Sequence, residues 1–274
     1  METKNDQVYR NPITPEERSA WAAKKQNQRD MAYSFIESQT MHVFSDPKNM
    51  NDHLKRQAVF GKMGVSNVLL VGAQRSDARE LRSFDEWSKR DRTVMRGEKA
   101  IVILETKGEY TREDGTTRSN FDLKPVFDVS QTYGKDLRSK QYPPAKAVIK
   151  ALLTKSEIPI EWNDHVKDAQ YNPDTNKIEA NQRLDADQLL YSVSREYAIA
   201  DGADLFVAEC VGITVCYRYS LMPEPFDYDF SAFQKKEPRE LRNLLMDARK
   251  LYCNIYERID KNLQKQRAQK QEER

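Results

Sequence analysis

The chain has 274 residues, 32% of them charged, and a mean hydropathy of −0.85, which allows two modest cores and leaves much of the length as surface, tail or helix exposed on one side. It has no run of about 18 apolar residues, so no membrane span is expected, and the polar opening METKNDQVYRNPITPEERSAW lacks a signal-peptide core, which favours a cytoplasmic protein. The net charge of +2 hides an uneven split: residues 41–107 hold 13 Lys/Arg against 9 Asp/Glu (+4), and residues 181–230 hold 3 against 9 (−6), so a phosphate-binding surface belongs in the front half.

Thr14-Pro15-Glu16-Glu17 is a helix start, with Thr14 as N-cap, Pro15 at the first helical position and acids in the first turn. The helix is expected to run through Trp21 to about Thr40, and a second one, after Asp46-Pro47, over about Met50 to Phe60. His42 and His53 fall here without ligand spacing and read as surface or core imidazoles. After Gly61 and Gly64 come the apolar run Val68 to Val71 and the pair Gln74-Arg75. Phe84 and Trp87 stand three apart, which places both on one helical face. Arg90, Arg92, Arg96 and Lys99 surround a turn at Gly97, and Ala100 to Leu104 reads as a buried strand. Cations interleaved with aromatic rings suit a surface that holds phosphates while bases stack.

A hairpin is expected around Asp114-Gly115, with a return strand from Phe121 to Val129 in which Pro125 marks an edge or a bulge. Tyr133 to Pro144 is a polar link ending in Pro143-Pro144, a domain boundary. Beyond it the pattern gives a helix over Ala145 to Lys155, a strand over Ile158 to Trp162 and a hairpin over Ala169 to Ala180 turning at Asn172-Pro173-Asp174. Two helices follow, Ala186 to Ala200 and Ala203 to Tyr219, the second stopped by Pro223 and Pro225. A last helix starts near Pro238 with an apolar stripe from Leu241 to Ile259, and the tail past Lys261 is expected to fray. Cys210, Cys216 and Cys253 lack metal-like spacing and read as thiols of a reducing compartment. The fold class is α+β, with two domains, 1–142 and 143–274, each a small, mostly antiparallel sheet packed by helices.

Asn67, Leu69, Leu70 and Gln74, then Phe84 and Trp87, then Val94 and Arg96 to Ile101 with Ile103, form a spaced pattern. It resembles the N-terminal single-stranded-DNA-binding domain of the ArdC/LtrC-type antirestriction proteins of plasmids and conjugative elements. A second match is Pro125-Val126-Phe127-Asp128-Val129-Ser130-Gln131-Thr132, and together the two cover about the first half of the chain. The resemblance implies a single-stranded-DNA partner, contacted by Asn67, Gln74, Arg75, Trp87, Arg92, Arg96 and Lys99. For Trp87 and Phe84 a core role competes with stacking, and for Asn67 and Gln74 a polar bond holding the strand competes with DNA contact.

The resemblance also implies a second domain like a zinc metallopeptidase, in which one helix carries His-Glu-x-x-His and the next an acidic third ligand. Here the corresponding residues read Arg195-Glu196-Tyr197-Ala198-Ile199, with Glu209 in the third-ligand region. Two imidazoles four apart bind one ion, and the Glu acts only on the water of that ion. Arg195 brings a fixed positive charge and Ile199 no lone pair, so no metal, no cofactor and no catalytic residue are expected. The zincin-like half is then an inactive scaffold or a surface for a host or element-encoded protein, and an Arg195–Glu209 ion pair is expected where a metal would sit. The alternatives are a hydrolase that binds a harder cation through Glu196, Glu209 and Asp201 or Asp204, and a pure interaction protein that uses the last helix.

Overall fold

The computed structural model describes residues 14–111, 115, 117–137, 139–154, 156–223 and 228–272. The opening segment 1–13, Asp114 of the hairpin turn, Lys155 and Pro225 lie outside the described residues.

Helix α1 spans Pro15–Val43 and starts as its sequence dictates: the Thr14 hydroxyl accepts from the Glu17 amide at 3.2 Å and the Glu17 carboxylate accepts from the Thr14 amide at 2.9 Å. Helix α2, Pro47–Phe60, is capped by Asp46, whose carboxylate accepts from the Asn49 amide. The apolar run 68–71 is fully buried on α3, Val65–Gln74. Next come β1 (Leu81–Arg82), the one-turn α4 (Phe84–Ser88), β2 (Arg92–Val94), β3 (Ile101–Thr111), β4 (Thr117–Asp128) and β5 (Thr132–Gly134).

Strands β3 and β4 form the expected hairpin, paired from Ile101↔Val126 to Thr111↔Thr117 with an irregularity between Thr106 and Gly108. Strand β1 joins β4 only at Phe127 and Asp128. Pro125, opposite Val102, therefore has no strand neighbour on its other side, and its missing N–H costs no ladder bond. Strands β2 and β5 pair as a separate ribbon.

The second half holds α5 (Ala145–Leu153), β6 (Ile160–Trp162), β7 (Ala169–Asn172), β8 (Lys177–Ala180), α6 (Ala186–Ala200), α7 (Leu205–Arg218) and α8 (Pro238–Glu272). Strand β8 is central, antiparallel to β7 and parallel to β6. The β7–β8 turn is closed by the Asn172 side chain, which accepts from the amides of Asp174 and Thr175. With helices and small, mainly antiparallel sheets in both halves, the molecule is α+β.

The two halves share one core. Phe44, from the α1–α2 link, packs among Phe206, Phe230 and Phe233 with ring centroids 5.6, 6.3 and 5.2 Å away. The stripe Leu241, Leu245, Ala248, Tyr252, Ile255 and Ile259 of α8 is buried in the same cluster, each such side chain contributing about 1.5–3 kcal/mol for the larger residues. Arg249 of α8 donates to the Met63 carbonyl at 2.8 Å and to the Lys62 carbonyl. Helix α8 does not fray at Lys261. It continues to Glu272, because Leu263 is buried and the buried Asn262 amide caps α5 through the carbonyls of Ala151 (2.9 Å) and Thr154 (3.0 Å).

Candidate nucleic-acid interface and the Arg195 centre

The free edge of β3 is paired by side chains. Asn67 and Gln74 lie two turns apart on one face of α3. The Asn67 amide accepts from Leu104 N–H at 2.8 Å and donates to Leu104 C=O at 2.9 Å; Gln74 does the same at Val102, at 2.8 and 2.9 Å. These amides replace a missing strand. The competing structural reading of Asn67 and Gln74 is the one their hydrogen bonds support, since both faces of each amide are engaged.

The motif at 125–132 is equally structural. Asp128 is fully buried and accepts from the amides of Arg79 (2.6 Å), Glu80 (2.9 Å) and Ser130 (2.9 Å), and from the Ser130 hydroxyl (2.6 Å). Burial works to raise its pKa, but these hydrogen bonds outweigh burial and the net shift is downward. Gln131 accepts from Asp128 N–H and donates to Glu98 and to the Lys99 carbonyl, all at 2.8 Å, which fixes the turn at Gly97 (φ +87°). The sequence offered Asp128 and Gln131 only as motif letters; their roles appear once β4 meets the loops before β1 and after β2.

Two further expected DNA contacts are also taken. Trp87 is 0% exposed, its indole N–H donates to the Phe127 carbonyl at 2.9 Å, and Arg82 and Arg92 lie 5.7 and 6.0 Å from its ring. Its faces belong to the core, while Phe84, on the same one-turn helix, is 55% exposed. Arg92 donates to the hydroxyl and carbonyl of Thr132 and to the Lys135 carbonyl, and so staples β2 to β5. Arg90 lies 3.6 Å from Glu80.

Of the expected cations, Arg75, Arg96 and Lys99 are the ones that the fold does not occupy. Arg96 and Lys99 are exposed, and neither side chain has a hydrogen bond or ion pair among the described residues. Arg75 caps α3 and is only loosely held, 3.9 Å from both Asp77 and Glu98. Arg75, Gly97 and Lys99 line one open pocket of about 530 Å³ with Gln74, Ile101 and Gln131, beside the turn that carries Arg96.

The second expected centre lies between α6, α7 and β7. Asp185 caps α6 and Asp204 caps α7. The helices come close because residue 212 is glycine: a Cβ there would lie 2.8 Å from the Tyr191 carbonyl oxygen. The Arg195 side chain, 13% exposed, sits among three carboxylates, 2.8 Å from Glu196, 3.0 Å from Asp168 and 3.7 Å from Glu209. It also donates to the Ala169 carbonyl at 3.0 Å. Burial opposes its charge, but the Glu196 hydrogen bond and the Asp168 and Glu196 charges win, and its pKa rises. The other Glu196 oxygen accepts from Tyr171 N–H at 2.8 Å, and Tyr191 O–H donates to Glu209. Burial, then that bond to Glu209, pushes the Tyr191 pKa up.

The expected Arg195–Glu209 pair is thus present, and Ile199 packs against the core. These residues do not fit a metal: both carboxylates already face a guanidinium and an N–H or O–H donor. No group of three or more His, Cys, Asp or Glu side chains among the described residues could hold an ion. His53, Cys210 and Cys216 are buried. No helix among the described residues is long and apolar enough to cross a membrane.

No family model and no curated protein matches the chain. Among solved structures it is similar to the metal-free antirestriction ArdC protein from R388 plasmid, at 18% identity, covering 74% of this chain and 84% of that one, with a TM-score of 0.48. The Mn(II)-bound structure of the same protein is 16% identical, covers 78% of this chain and 98% of that one, and gives a TM-score of 0.49. Both are structures of one antirestriction ArdC protein.

Proposed function

We propose that the protein binds single-stranded DNA for a mobile element (a plasmid, conjugative element or phage), in an antirestriction-like role, and that its second half is an inactive, zincin-like scaffold. The observation that carries this reading is the convergence of Arg75, Lys99 and the Arg96 turn on one open pocket, with two of the three cations in no ion pair among the described residues. The motif resemblance of residues 67–103 supports the choice of a single strand. In the second half, the guanidinium of Arg195 lies where the resemblance would put a metal, which supports loss of peptidase chemistry and speaks against the carboxylate-metal hydrolase. The division at residue 142 enters this proposal as a division of labour, with DNA at the front and support, or a protein partner, behind.

The test is anisotropy of a labelled single-stranded oligonucleotide against duplex, at 50 and 200 mM salt. Three phosphate contacts give a slope of log K on log salt of about −2. Substitution of Arg75, Arg96 and Lys99 by Ala is expected to abolish most of that slope. Equal binding of wild type and triple variant would remove the pocket from the proposal.

A further inference from the structure

Arg56 of α2 is an anomaly the surface described so far does not use. Its guanidinium lies against Gly72 of α3, so closely that a Cβ on residue 72 would meet the guanidinium carbon at 2.7 Å. The side chain is half-buried, its Nε is buried without an acceptor, and no ion pair or hydrogen bond to it exists among the described residues. Burial lowers its pKa; Asp52 opposes this only at a distance. A half-buried guanidinium whose buried Nε has no acceptor is unfavourable, and an anionic ligand at its terminal nitrogens would offset that cost.

The surroundings name the ligand's chemistry. Arg56 lines two adjoining pockets of about 500 and 370 Å³, both bordered by Asp52 and Ser76. Lys55, which also lies 5.3 Å from the Tyr217 ring, and Arg79 line the smaller one, and neither forms an ion pair among the described residues. Its cations outnumber its carboxylates, Asp52 and Asp77. The Ser76 hydroxyl makes no bond among the described residues. A planar fork flanked by two further cations and a hydroxyl matches a phosphate oxygen cluster. Ser76 directly follows Arg75, so the two cationic surfaces meet at the end of α3.

We propose that Arg56, held against Gly72, is a phosphate-binding residue that takes the backbone of the same DNA strand after it has crossed Arg75. The strand assignment rests on the proposed function; the phosphate site does not. A strand leaving Lys99 passes over residues 75–76 and places a second phosphate on Arg56, so binding requires a strand long enough to reach both pockets.

The experiment uses the full chain with labelled dT6 and dT20, and separately inorganic phosphate with thermal unfolding as readout, in wild type, Arg56→Gln, Arg56→Lys and Gly72→Ala. Arg56→Gln is expected to weaken dT20 about tenfold, to reduce its salt slope by about 0.7, to leave dT6 unchanged and to abolish stabilisation by phosphate. Arg56→Lys, which keeps the charge without the fork, should retain most of the slope. Gly72→Ala should behave like Arg56→Gln; if it fails to fold, the Arg56 variants decide alone. Equal dT20 affinity and slope in wild type and Arg56→Gln, with no phosphate effect, would overturn this inference and leave the proposed function standing. Phosphate stabilisation lost in Arg56→Gln, without dT20 binding by wild type, would uphold the phosphate site and overturn the DNA reading. Absence of both would overturn both.

Discussion

Replacing Arg195 with Met should expose how far the second half depends on one guanidinium. Met keeps the stem volume and removes a charge that faces Glu196, Asp168 and Glu209 at 2.8, 3.0 and 3.7 Å. Removing one partner from a buried ion cluster costs about 3–5 kcal/mol, because the remaining charges are left uncompensated. The Asp168 and Glu209 side chains are 36% and 22% exposed, so solvent screens part of that loss and about 2–3 kcal/mol is expected. For a chain of this size the loss corresponds to a fall in Tm of about 3–5 °C, read by calorimetry or far-UV circular dichroism. Adding Glu196→Gln and Glu209→Gln to the same chain should restore much of the stability, since the penalty lies in orphaned carboxylates rather than in lost packing. A Met variant as stable as wild type, or a triple variant no better than the single one, would refute the account of a guanidinium-filled centre.

Asn67→Leu should cost about 2 kcal/mol by denaturant unfolding, because it orphans both backbone groups of Leu104; an unchanged midpoint would mean the β3 edge is held otherwise. His53 has its pKa lowered to about 3 by burial and then by Arg56. Its unfolded form gains a proton first, so stability present above the usual histidine range is lost as pH falls, by about 2 kcal/mol between pH 6.5 and 5, and His53→Gln should flatten that slope. Trp87→Phe should lower stability while leaving oligonucleotide affinity unchanged when folded, since the ring is fully buried; a selective loss of affinity would restore the stacking role.

Features set by neighbours in sequence were legible. Thr14 to Glu17 named the start of α1, and the limits 186–200 of α6 follow from an amphipathic pattern closed by Asp201-Gly202. The end of α8 was not legible, because Asn262 and Leu263 are ordered by α5, more than a hundred residues earlier. At the candidate interface the residue types were right for two incompatible uses. An Asn or Gln offers one donor and one acceptor, which match a base edge and a strand edge equally well. Only the approach of α3 to β3 shows that Asn67 and Gln74 took the second, and Arg92 was decided in the same way by Thr132. The Arg195–Glu209 pair could be anticipated because acids on two neighbouring helices face one another, and a cation among them is the simplest neutralisation.

The core shared through Phe44 and α8 bears on recombination. A crossover in the polar link after Gly134 would keep the paired strands of each half together in sequence, yet would present the Phe206–Phe230–Phe233 nest of one parent with the α1–α2 corner of another. A chimera keeps this packing only if the α1–α2 corner travels with its nest, so neither half is a self-contained unit of exchange.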